Sequence, residues 1–392
     1  MGDRPAGVAE PAAARHTPRV ITGPLYPAAR AYAPRLEEHF RAHAVHPHAT
    51  DSPDADASAI EALIDAAFWA SLQREEGYPP EISLALLPPD RAVNPLRFAS
   101  PLPLGPRALA RLAPAVERPG IHLGVWRDRS DLVVWGTTRA IPIFCFVVEV
   151  LAPGLLVVKH RMREDSAKFR NVAVFEGEQV KLLTTRGNGV SDHPAFLKSL
   201  MAPELWGSPD DPDDVLLRLA VSMRAHKRGG TLLVAPAGSD AWRESIVRPI
   251  TYAVEPPFRE LAQLAHDAPE DDPGNAALGR AVDAVAGLTA VDGATLLNDR
   301  YELLAFGVKI GRPEGRPRVE QVVLTEPIDG GSPVVIAPLQ MGGTRHISAA
   351  QFAQDQQDAA ALVASQDGRF TVFSWCAREG IVHAHRVESL LL

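Results

Sequence analysis

The chain has 392 residues, 46% hydrophobic and 22% charged, enough to bury a sizeable core and to fill two domains. A formal net charge of −8 excludes a general pull toward nucleic acid or an anionic membrane, so any polyanion must be gripped by a local cationic cluster. The two cysteines, Cys145 and Cys376, stand far apart in apolar company and lack metal-ligand cysteine spacing, which reads as reduced core thiols in a cytoplasmic protein.

Residues 1–58 are rich in Ala, Pro and His and close on the acidic run DSPDADAS, so this stretch is expected to be disordered or loosely packed. Its opening, MGDRPAGVAEPAAAR, carries Asp3 and Glu10 and lacks the apolar core of an export signal. From Ile60 the spacing of Ile60, Leu63, Ile64, Phe68 and Leu72 predicts a helix, with Asp56 or Ser58 as its cap. Short β-branched runs follow: EISLALLPP, IHLGVW, DLVVWGTT, IPIFCFVVEV, GLLVVKHR and NVAVFEGEQVKLL, with RALARLAPAV as an inserted helix. Together they predict an α+β domain over 59–206 with a mostly antiparallel sheet. Its most apolar run, residues 141–158, is interrupted by Pro142, Glu149, Pro153 and Gly154 and is not read as a membrane span.

GSPDDPDD, residues 207–214, reads as an acidic linker whose last aspartates cap the next helix. Over 215–392 helices alternate with strands: VLLRLAVSMRAHKRG, GTLLVAP, PPFRELAQLAH, AALGRAVDAVAGL, AVDGATLL, ELLAFGVKI, EQVVLTEP and SPVVIAP. This order predicts an α/β domain with a mixed sheet covered by helices. DAAALVAS is ambiguous by period and is read as a strand, because Asp367-Gly368 behind it signals a hairpin turn.

Two segments carry candidate chemistry. In LQMGGTRHISAAQF, residues 339–352, Gly342 and Gly343 let backbone approach a ligand, and the helix behind them presents unpaired N–H groups. Thr344 adds a hydroxyl, Arg345 a fork of donors, and His346 a donor or metal ligand, a set suited to nucleotide phosphates. The plainer alternative is a glycine turn with Thr344 as N-cap and Arg345 in solvent. In TAVDGATL, residues 289–296, an acid followed by Gly-Ala inside a strand marks a bulge or close backbone approach. Asp292 would coordinate Mg²⁺ or Mn²⁺ bridging phosphates, and Gly293 and Ala294 would leave room for a purine or ribose. The alternative is an edge bulge with a solvated aspartate.

In this order the motifs Asp292-Gly293-Ala294, Gly343-Thr344-Arg345-His346 and Ser365-Gln366-Asp367-Gly368 resemble the diadenylate cyclase family, the DAC or DisA N-terminal-like domains. The resemblance covers about residues 275–392 and is most like the DACNV-type probable sensor domains, predicted to sense nucleotides and to be coupled to effectors. It implies an adenine-nucleotide pocket, with ATP or a cyclic dinucleotide held by Gly293, Ala294, Gly343, Thr344, Arg345, His346 and Ser365. It implies Asp292 as metal ligand, and as catalytic residue if the site turns over, with Asp367 as a second ligand. It also implies an effector protein as partner and allows a homo-oligomer; direct binding of nucleic acid or membrane is not expected. The chain departs from the family at Ile347, where a second arginine is usual, and at Gln366 and Asp367, where two glutamates are usual. Losing a cation and a carboxylate argues against full turnover. The expected function is therefore an adenine-nucleotide sensor, with an active diadenylate cyclase forming cyclic di-AMP, or a degenerate protein-interaction scaffold, as alternatives.

Other candidates are weaker. His383 and His385 share a strand face that zinc could use, with no third ligand evident in sequence, and read as surface or interface histidines. His43, His46 and His48 read as a solvated tract. Arg224, His226, Lys227 and Arg228 precede Gly229-Gly230 and read as a solvated helix C-terminus. Ser239 and Asp240 form no nucleophile elbow.

Overall fold

The computed structural model describes residues 25–44, 55–75, 77–118, 120–161, 169–183, 197, 214–267 and 272–392. The strands form two mixed sheets with helices against them, so the α/β class expected from the alternation of elements holds at that level.

The first sheet spans β1 (Ile82–Leu86), β2 (Leu96–Pro103), β3 (His122–Asp128), β4 (Asp131–Thr138), β5 (Val147–Ala152), β6 (Leu155–Arg161), β7 (Phe169–Glu176) and β8 (Gln179–Leu182). Their order is β2-β4-β3-β1-β5-β6-β7-β8. Only β1 and β3 run parallel, and α3 (Pro106–Leu112) lies in the crossover between them. The core lies beneath α1 (Pro27–Ala44) and α2 (Ala57–Ser71), where Ile60, Leu63 and Ile64 are fully buried.

Helix α1 corrects the expectation of a loose tail over 1–58. Tyr26, Ala29, Ala33, Leu36 and Phe40 recur every three or four residues and are buried in the core, and the Tyr26 ring stacks on Phe68 at 3.7 Å. Residues 1–24 and 45–54, with the histidine tract at 46 and 48, lie outside the described residues, as does the linker at 207–213. Two other readings change. β5 begins only at Val147, because Pro142 has no N–H and Phe144 takes a positive φ of 55°. β2 was not anticipated; it is an exposed edge strand, where Pro101 and Pro103 cost no ladder partner.

The second sheet comprises β9 (Gly230–Ala235), β10 (Tyr252–Phe258), β11 (Ala294–Asn298), β12 (Leu303–Val308), β13 (Val322–Thr325), β14 (Val334–Ile336), β15 (Ala360–Ala364), β16 (Phe370–Cys376) and β17 (Ile381–Arg386). The order is β10-β12-β11-β9-β15-β16-β17-β13-β14, with β9/β11 and β13/β17 parallel. One face packs under α4 (Asp214–Ala225), α5 (Glu260–Asp267) and α6 (Asp272–Leu288), the other under α7 (Thr344–Asp355). DAAALVAS is the strand β15, as read from the turn behind it. Pro256 and Pro257 belong to edge strand β10 rather than opening a helix, and α5 starts at Glu260.

Polar contacts join the sheets. Leu183 bridges Ile328, the Asp329 N–H donates to Leu182 O at 2.7 Å, and Lys181 pairs with Glu326 at 3.1 Å. Buried Asn171 of β7 donates to the carbonyls of Ser389 (3.2 Å) and Leu392 (3.0 Å). Among the described residues no helix is long and apolar enough to cross a membrane.

Candidate functional site

Strand direction decides what meets at the motif-bearing edge of the second sheet. β9 and β11 begin there, β12 and β15 run antiparallel to them and end there, and β17 ends beside the start of β16. Gly229-Gly230, Asp292-Gly293, Lys309, the Ser365–Arg369 turn and Arg386 therefore collect on one edge. The first turn of α7 reaches the same place: the Arg345 guanidinium lies 2.8 Å from where a Cβ on Gly229 would stand.

Asp292 and Gly293 sit in the bend ahead of β11, not inside the strand. Gly293 has a φ of +118°, and a Cβ there would fall 2.5 Å from the carbonyl carbon of Gly307. The space its bare Cα leaves is thus filled by β12 rather than offered to a base, and Ala294 is buried in the core at 3% exposure. These two positions shape the loop that projects Asp292. Its carboxylate reaches solvent and pairs with Lys309 at 2.5 Å. The hydrogen bond and charge of Lys309, with a further contribution from Arg345, hold the carboxyl below its usual range.

At α7, Gly343 rather than Thr344 is the N-cap, in extended backbone with open space around its Cα, and Thr344 is exposed in the first helical position. Gly342 has the stricter role: a Cβ there would strike the His346 ring at 2.5 Å. His346 is buried at 5% exposure with its ring edge-on to Phe373. Burial foremost, then Arg386, Arg369 and Arg345, lowers its pKa, so it stands neutral near pH 7. Ser365 is half-buried in the turn, its N–H donating to Arg369 O at 2.9 Å. Asp367 accepts from the Arg369 N–H and pairs with its side chain at 3.5 Å.

The edge carries an excess of positive charge. Asp292 and Asp367 are matched by Lys309 and Arg369, while Arg345 and Arg386 form no ion pair among the described residues. Such an arrangement favours an anion with several oxygens. For Mg²⁺ or Mn²⁺, one solvent-reaching carboxylate plus phosphate oxygens and water suffices, so the donor set at Asp292 fits once Lys309 moves aside.

Sequence reasoning missed Lys309, Arg369 and Arg386, whose place depends on strand register. It also took the Arg224 region for a solvated helix end. Arg224 instead donates to Gly368 O at 3.1 Å and Leu391 O at 2.8 Å. His226 accepts at Nδ1 from the Arg228 N–H and meets the Thr289 hydroxyl at 3.2 Å through Nε2. Gly229, with a φ of +70°, packs between Arg345 and Gln366, and Gln366 Nε2 donates to Arg228 O at 3.3 Å. A shallow cleft of about 220 Å³ lies at the opposite edge, beside Trp242, Arg316 and Asp355, and no motif residue lines it. Geometry and charge therefore favour the cationic edge over the cleft.

Residues 49–139 match the family described as "Probable sensor domain DACNV". The match falls on α2 to β4 of the first sheet, so the DACNV likeness belongs there and not to the motif-bearing second sheet. No curated protein matches the chain. Among solved structures, a hypothetical membrane spanning protein from Bacillus cereus is 14% identical, over 48% of this chain and 68% of that one. Its TM-score is 0.27, at which the likeness carries no argument.

Proposed function

We propose that the protein is a nucleotide-responsive sensor: a DACNV-like unit on the first sheet joined to a second sheet whose cationic edge binds the phosphates of an adenine nucleotide. The sensor half of this reading rests on the family match. The nucleotide half rests chiefly on Arg345, which lies beside Gly229, acts on Asp292 only at a distance and forms no ion pair among the described residues. The diadenylate-cyclase-like order of the motifs supplies the adenine, and a domain boundary near 207–214 separates the units. Turnover to cyclic di-AMP is not expected, because α7 offers half-buried Ile347 where a second cation would stand, and Gln366 is engaged with the Arg228 carbonyl.

The test is calorimetric titration of the full chain with ATP, with Mg²⁺ and with EDTA, for wild type, Arg345→Ala and Asp292→Asn. Arg345→Ala should weaken binding by about 1.5 to 3 kcal/mol, the scale of a charge-assisted hydrogen bond. Asp292→Asn should remove the metal dependence alone. Equal affinity in wild type and Arg345→Ala would overturn the phosphate site, and chromatographed conversion of ATP with Mn²⁺ would replace the sensor with a cyclase.

A further inference from the structure

The hairpin β16–β17 brings together three unlike metal donors. Its register pairs Cys376 with Ile381 and Ser374 with His383, which sets Cys376 and His383 on one face as diagonal neighbours. The turn between them closes by the Gly380 N–H donating to Cys376 O at 2.8 Å, with Gly380 at a φ of +63°. That turn folds Glu379 back over the strand pair, where its carboxylate meets His383 Nε2 at 3.0 Å. The thiol, carboxylate and imidazole donor atoms all lie within 4.8 Å of one another. Cys376 and His383 are 2% and 5% exposed, while Glu379 opens to solvent.

We propose that Cys376, Glu379 and His383 form a binding site for a thiophilic divalent transition ion, Zn²⁺ foremost. Metal–ligand lengths of about 2.0 to 2.3 Å at tetrahedral angles require donors about 3.3 to 3.6 Å apart, so the three need only small side-chain shifts to enclose an ion. Thiolate with imidazole selects zinc-like ions over Mg²⁺ or Ca²⁺, and the exposed side of Glu379 leaves the fourth position to water. The site is separate from the cationic edge: it sits at the far end of β16, about 20 Å away by the strand rise. His385, the other histidine of the strand, is turned to the Thr325 hydroxyl at 2.6 Å and is not a member.

The experiment is titration of chelator-treated full chain with Co²⁺ alone, read by absorption. Wild type should bind one equivalent with a thiolate-to-cobalt charge-transfer band in the near ultraviolet and tetrahedral bands in the visible, both bleached by Zn²⁺. Cys376→Ser should lose the near-ultraviolet band. Glu379→Gln, a change at an exposed turn that leaves the fold intact, should weaken Co²⁺ binding at least about ten-fold, the lower end of the cost of losing even a supporting partner of a ligand. A wild-type spectrum without the thiolate band, the same band in Cys376→Ser, or unchanged affinity in Glu379→Gln would each overturn the site.

Discussion

Gly293 and Gly343 occupy similar motif positions and answer substitution differently. At Gly293 a φ of +118° and the Gly307 carbonyl carbon 2.5 Å from the missing Cβ leave no place for a side chain. Gly293→Ala should therefore cost about 2 kcal/mol or more, as strain and overlap act together. Gly343 has extended backbone and open space, so Gly343→Ala should cost below about 1 kcal/mol, the difference between glycine and alanine as N-cap. Urea denaturation of both variants checks the contrast. His122 gives a second test. It is 3% exposed, with Nδ1 2.7 Å from the Ser83 hydroxyl, and burial, helped by Lys159 and Arg161, pushes its pKa from 6.5 down to about 4. The unfolded chain takes up this proton first as pH falls, so the stability is whole above about pH 6.5 and drains away between 6.5 and 4. Between pH 7 and 4.5 wild type should lose about 2 to 3 kcal/mol more than His122→Gln, measured by denaturation at each pH.

At the scale of elements, α2 has a side-chain cap: the Ala59 N–H donates to Asp56 at 2.8 Å, and Asp56 also pairs with Arg127. Asp56→Ala should cost about 1 kcal/mol, seen as a lower urea midpoint, and the same loss should appear in wild type as acid protonates a carboxyl held below its usual range. The cap and the apolar face of α2 were both legible in sequence, because they are local. Helix α1 has as clear a period from Tyr26 to Phe40, but Pro34 within it and the Ala-Pro-His composition around it masked the pattern. β2 carries no alternation to read, since nearly all of it is exposed. The same division runs through the site: Asp292, Arg345 and His346 announce themselves by motif, whereas Lys309, Arg369 and Arg386 join them only through register. The likeness to a sensor domain was legible, but its place in the chain was not.

For the whole molecule, specific polar contacts tie the two sheets together. Asn171 on the first sheet satisfies carbonyls of Ser389 and Leu392 beside the second, and Arg224 ties Leu391 to the Gly368 turn of the cationic edge. Asn171→Ala would leave the buried Ser389 carbonyl and the part-buried Leu392 oxygen without this donor, and a loss of about 1 to 3 kcal/mol is expected. Scanning calorimetry and urea titration on the full chain check it; an unchanged midpoint would mean that the junction bears no weight.

Asp292 is not a bare carboxylate awaiting a guest; Lys309 already serves as its resident counter-ion, through a pair open enough to solvent to be weak. A cation arriving at Asp292 must take the place of Lys309, and a pair this exposed gives way at little cost. If the edge takes phosphates as proposed, their oxygens would give the ammonium a second partner, so anion and divalent cation are expected to bind more tightly together than either does alone.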